Sequence, residues 1–226
     1  RDLRAIEQLF AQAERNLAAD HRLAETLRRS NNILLTMFAS GTTRFDPDMR
    51  APRHISRSAL NPMSEQLTPL ATPISASDAA LPPARLAKNA DGVGILKITP
   101  DKDGIVRSAP LVLDHFGALH PSSALLGAAT SLNISPREIS ISRDGLIKLG
   151  NLTLDASNAL SLRPHFRDKR AITTVSAASL LNGSTKAESF RNRIVIIGAT
   201  DTNARHFATP AASFMAPVEI MAQTIA

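Results

Sequence analysis

Residues 193–226 read RIVIIGATDTNARHFATPAASFMAPVEIMAQTIA, and the rest of the chain is interpreted outward from them. Ile194, Val195, Ile196 and Ile197 are β-branched and apolar at every position. A run of that kind predicts a strand buried on both faces, since a half-buried strand would alternate. Gly198 ends it, and residues 199–203 are too polar and turn-prone to continue it. Thr209-Pro210 marks a second break. Pro217 suits the first position of a helix, where its missing N–H costs nothing. Glu219 in that first turn complements the helix dipole. Val218, Met221 and Ile225 then predict one apolar stripe. The unit expected is a buried strand, a polar loop and a closing helix.

Upstream, helical spacing of Leu3, Ile6, Phe10 and Ala13 competes with a strand ending near Leu9-Phe10. Asp20 is the expected N-cap of a helix running to about Arg29, with Leu23, Ala24 and Leu27 on one side. Residues 33–38 predict a strand. Half of the chain's 14 prolines fall between about 40 and 90, which predicts a long irregular insertion with short helices at most, the best at residues 82–87. Arg50, Arg53, His54 and Arg57 lie there as a solvated basic loop or an anion site.

Residues 93–98 predict a strand, Asp101-Lys102-Asp103-Gly104 a tight turn, and residues 105–113 the return strand. A calcium loop is rejected at this turn, because its first and twelfth positions would be Thr99 and Pro110, neither a carboxylate. Pro121 opens a helix carrying Leu125, Ala129 and Leu132. Residues 138–142, 146–149 and 152–154 predict a small antiparallel meander. Arg163, His165, Arg167, Lys169 and Arg170 form a basic stretch around one Phe. Residues 172–175 predict a strand, and Ser176 caps a short helix that stops near Gly183.

Four of these segments carry a family resemblance. The strand end V-I-I-G-A-T is matched by residues 195–200, followed by Thr209-Pro210 and Val218-Glu219-Ile220. A turn of form D-x-D-G-V-x-R-x-x-P-L is matched by Asp101, Asp103, Gly104, Val106, Arg107, Pro110 and Leu111. P-S-x-A-L is matched by Pro121, Ser122, Ala124 and Leu125, and S-x-x-D-L-L-x-G by Ser176, Leu180, Leu181 and Gly183, with Ser179 in place of Asp. The chain resembles a CHASE domain of the second type (cyclase/histidine-kinase-associated sensory extracellular domain). Two positions depart: Ala216-Pro217 stands where Pro-Gly is usual and Met221 where His is usual, so no role of that Gly or His carries over.

The resemblance implies an extracytoplasmic, periplasmic sensor of a membrane-anchored bacterial signalling protein, with an adenylate or guanylate cyclase, histidine kinase, Ser/Thr kinase or diguanylate cyclase as output. It implies one domain over 1–226, natively longer at the N-terminus, with membrane helices outside this chain and a homodimer. It also implies that this domain is no enzyme.

Composition narrows the alternatives. No Cys is present, which removes disulfides, thiolate metal sites and Cys nucleophiles. No apolar run approaches ~18 residues. The net charge of +6 would suit nucleic acid, but the chain has no Trp, no Tyr and only 8 Phe to stack on bases, so no nucleic-acid partner is expected. No nucleophile elbow, phosphate loop, dinucleotide fingerprint or metalloprotease motif occurs. The 6 His lack metal-ligand spacing, although His115 and His120 flank a turn at Phe116-Gly117. No cofactor or metal is expected.

The fold class expected is α/β, a mixed sheet with helices on both faces. The candidate ligand site is the loop after the central strand, at Asp201, Thr202, Asn203, Arg205, His206 and Thr209, joined by Arg107. Its ligand would be a small molecule or ion. A free-standing hydrolase pairing Asp201 with His206 as acid and base is the alternative, and it lacks a nucleophile. The plainer alternative is a hydrogen-bonded loop that fixes the final helix.

Overall fold

A computed structural model of the chain describes residues 6, 18–39, 50–61, 63, 65–168, 171–201 and 205–226. The centre is a parallel pair, β1 (Leu34–Ala39) and β3 (Gly92–Lys97), in register from Leu34↔Gly92 to Ala39↔Lys97. The sequence of β3 explains its place. Val93 and Ile95 pack with Met37, Ile55, Ala76 and Ala87 on one face. Gly92 and Gly94 let a helix approach on the other: a Cβ at Gly94 would lie 2.6 Å from the Ser123 Cα, and one at Gly92 3.1 Å from Leu126. Helices therefore cover both faces of the pair. The fold is mixed α/β, as the alternation of elements predicts, with the strands shared among several small sheets.

Around this centre, α1 (Ala19–Ser30) buries Ala24 and Leu27 and carries Asp20 in its first turn and Arg28 and Arg29 in its last. Asp20 is thus not the N-cap; Ala18 is. Leu23 stands 46% exposed. Among its described residues, the proline-rich stretch holds two short α-helices, α2 (Arg53–Ser56) and α3 (Ala84–Asn89), a 3-10 turn at Pro69–Ala71, and β2 (Ile74–Ser75). It is not a loose excursion: Ile55, Leu60, Ala71, Ala76 and Ala87 all enter the core. Arg57 donates to the carbonyls of Ala87, Lys88 and Ala90, which ties the exposed end of α3 to α2.

The expected return strand does not pair with β3. β3 pairs with β1 along one edge and Ile95 bridges in parallel to Ser122 on the other, and residues 105–113 bond elsewhere in three pieces. Val106 N–H donates to the Ala208 carbonyl at 2.8 Å. β4 (Ala109–Pro110) pairs with β10 (Ser161–Leu162). β5 (Val112–His115) pairs with β6 (Ala118–Pro121) antiparallel and with β2 parallel. The β5–β6 turn places Phe116 at φ 52 and Gly117 at φ 78, the left-handed pair that a two-residue hairpin demands.

Helix α4 (Ser123–Ser131) starts later than the sequence predicts: Pro121 ends β6, and the Ser122 hydroxyl caps the helix by accepting from the Leu125 N–H. The meander of β7 (Ser140–Ile141), β8 (Leu146–Leu149) and β9 (Leu152–Asp155) is antiparallel throughout. It closes a core of Leu111, Val112, Leu125, Ile139, Ile147 and Leu160.

The largest correction falls on the stretch that opened the sequence reading. Residues 194–198 form no strand, and Ile194, Val195 and Ile197 are 45%, 49% and 93% exposed. Among the described residues, no strand lies beside them to take their backbone groups. Residues 172–175 are not a strand either. α5 (Ala177–Leu181) follows Ser176, whose side chain makes no capping bond, and Gly183 takes φ 79 after it. The polar loop ends sooner than Thr209-Pro210, in a hairpin of β11 (Phe207–Thr209) and β12 (Ala212–Met215). α6 (Pro217–Ile225) closes the chain. Its buried residues are Ile220 and Gln223, not Val218, Met221 and Ile225, which are half-buried. Residues 1–13 lie outside the described residues except helical Ile6, as do Lys169 and Arg170.

Candidate functional site

Two of the sequence motifs meet at α6. The turn at Asp101 closes with Gly104 N–H donating to the Asp101 carbonyl, and Asp101 N–H to the Ile105 carbonyl, each at 2.9 Å. Ile105 then bridges in parallel to Ala208 of β11. Val106, Met215 and Ile220 are buried together beneath this junction, with Phe166 and Phe207 packed against them. So the 101–111 motif, the hairpin and the closing helix share one small core.

The candidate residues divide by what they already hold. Arg107 donates twice to the Asp103 carboxylate, at 2.9 and 2.7 Å, and once to Asp101 at 2.8 Å. The guanidinium, helped by the Ile105 N–H, holds the Asp103 carboxyl well below its ordinary range, at about 2. The same two carboxylates push Arg107 upward. The Thr209 hydroxyl is buried in its own turn, accepting from Ala212 N–H at 3.1 Å and donating to the Ala212 carbonyl at 3.2 Å. Arg205 is exposed, with its guanidinium carbon 5.0 Å from the centre of the Phe207 ring. The half-buried His206 ring lies 5.6 Å from Phe214. Asp201 is exposed and engaged. Thr202 and Asn203 lie outside the described residues. The structure therefore brings Arg107's turn beside the hairpin of Arg205, His206 and Thr209.

α6 is fixed at both ends. Glu219 accepts from the Ala216 N–H at 2.7 Å across its first turn. Gln223 accepts from Arg167 N–H and donates to the Arg167 carbonyl, both at 3.2 Å. A crevice of about 10 Å³, room for a single water, lies beside α6 between Lys97, Val106, Ser108 and Thr224.

A sequence model of the CHASE2 domain matches residues 4–226. The chain belongs to the CHASE2 domain family. CHASE2 domains are sensory extracellular domains of signalling proteins and are not themselves catalytic. No curated protein and no solved structure matches the chain. Among the described residues of this CHASE2 domain, no helix is long and apolar enough to cross a membrane, and no group of three or more His, Cys, Asp or Glu could hold a metal.

Sequence reasoning noticed His115 and His120 but not what they form. Both are fully buried on one face of the β5–β6 hairpin, edge to face with ring centres 5.4 Å apart. His115 Nδ1 lies 3.0 Å from the Ala76 carbonyl and so carries its proton. Among the described residues, His115 Nε2 and both His120 nitrogens have no hydrogen-bond partner. Burial, with His115 as the second cause, pushes His120 down to about 4. The signal was the spacing: five residues across a two-residue turn bring the rings to one face of the hairpin.

Proposed function

We propose that this CHASE2 domain binds a small-molecule or ionic ligand on the periplasmic side of a bacterial inner membrane. It does so within a membrane-anchored signal-transduction protein whose output is an adenylate or guanylate cyclase, a histidine kinase, a Ser/Thr kinase or a diguanylate cyclase. Residues 1–226 act as one domain. The observation that carries this proposal is the junction at Ala208: the hairpin that follows Arg205 and His206 shares its core with α6. Ligand contacts fall to Asp201, Thr202, Asn203, Arg205 and His206, with Arg107 and Thr209 beside them, Arg107 bonded to its own turn and Thr209 to the turn of the hairpin. A ligand that engages the loop shifts α6 only to the extent that it binds two positions of the helix with different affinity.

A thermal-shift screen of inorganic anions and small organic acids tests the site, because a ligand confined to the folded state raises the melting temperature. Replacing Arg205 with Gln and His206 with Ala should abolish the shift of any hit and leave the unliganded melting temperature unchanged. A hit whose shift survives both replacements places the ligand elsewhere. The proposed assembly is a twofold homodimer coupled through α6. These 226 residues contain no Cys, and Ala222→Cys in the membrane-bound full-length protein, with any cysteine outside them replaced, should crosslink between subunits. No crosslink at Ala222 or at Ile225→Cys rules out that face.

A further inference from the structure

Several cations of this chain are held by partners within the fold. Arg57 caps α3, Arg107 holds two carboxylates, and the Lys97 ammonium lies 3.7 Å from Asp78 with both side chains under 10% exposed. These charges are spent internally. Arg163, His165 and Arg167 are not: all three are exposed and none has a side-chain partner among the described residues. Between them, Pro164 and Phe166 are half-buried, and Phe166 packs against the core of Val106, Met215 and Ile220. Gln223, only 5% exposed, bonds both backbone groups of Arg167. The backbone is thus pinned from below while the cations project outward.

We propose that residues 163–167 are a docking stripe for an anionic phospholipid surface, with Arg163 and Arg167 pairing to headgroup phosphates. Arg163 and Arg167 stand four residues apart and both are exposed, which suits a surface carrying several phosphates better than one enclosed ion. Phe166 is turned into the core, which leaves the exposed His165 imidazole as the one ring of the stripe that could meet a base, too little for a row of stacked bases. An Arg near an anionic surface also gains free energy without a shaped pocket. This proposal stands apart from ligand sensing at the 201–209 loop and survives if that loop binds nothing.

The test is flotation of the chain with phosphatidylcholine vesicles, with and without phosphatidylglycerol. Binding should require phosphatidylglycerol, weaken as salt is raised, and fall about fivefold for each of Arg163→Gln and Arg167→Gln. Lys148→Gln, on the distal meander, should bind as the parent does. Unchanged melting temperatures of the variants show that folding is not the cause of a loss. Absence of phosphatidylglycerol-dependent binding overturns the proposal, as does parent-like binding by the Arg163→Gln/Arg167→Gln double variant. Binding to pyrophosphate or to an oligonucleotide in place of vesicles overturns it too.

Discussion

Residues 92–97 and 193–198 are alike in sequence and opposite in environment. Both are short, apolar runs that contain glycine and suit a strand. In β3, Val93 and Ile95 are fully buried and a parallel partner takes the backbone groups. In the second run, Ile197 stands 93% exposed and no partner strand lies beside it among the described residues. Apolar continuity states what a segment needs, and its neighbours decide whether it receives it.

Substitutions at matching positions sharpen this contrast. Ile95→Ala should cost about 4 kcal/mol in urea unfolding, because it leaves a cavity in a closed core. Ile197→Ala should change stability by less than about 0.5 kcal/mol. A cost above ~1 kcal/mol at Ile197 would mean that the run is covered in solution. Glycine replacements come next. Gly94→Ala drives a Cβ into the Ser123 backbone and should cost about 3 kcal/mol. Gly198→Ala sets a Cβ 2.9 Å from the Val218 Cβ, which no rotamer change can move, so about 2 kcal/mol is expected.

Acid should weaken the core around β5 and β6. His120 is held at about 4 in the fold and returns to its ordinary 6.5 on unfolding. The unfolded chain therefore binds more protons between those values, and stability falls as pH drops from about 6.5 toward 4. The loss is on the order of 3 kcal/mol at the lower limit and absent above about 7. Urea unfolding at several pH values measures it, and His120→Leu should flatten the dependence. The smallest effect is at the 101–104 turn. Arg107→Gln should leave the melting temperature unmoved while the Asp103 carboxyl, followed by NMR, titrates back up toward its ordinary range.

Local chemistry was legible in the sequence. Pro217 and Glu219 opening α6 and the turn at Gly104 each depend on residues within a few positions. The mixed α/β class followed from the alternation of elements. Partner choice was not legible: that β3 pairs with β1 rather than with its own return strand is decided 58 residues away, at Leu34↔Gly92. The same distance hid the Gln223–Arg167 contact, because the hydrophobic pattern of α6 pointed to Val218, Met221 and Ile225. A lone glutamine on a helix reveals nothing about a backbone 56 residues upstream. The junction at Ala208 was hidden for that reason too, although both motifs that meet there had been singled out.

That glutamine also sets how α6 can move. Its amide clasps one backbone unit by two bonds at once, as a key sits in a slot. A roll of the helix about its long axis would tear both bonds. A slide along the axis can keep them, provided that the strap at Arg167 travels with it. Gln223 thus leaves α6 a piston and denies it the motion of an axle.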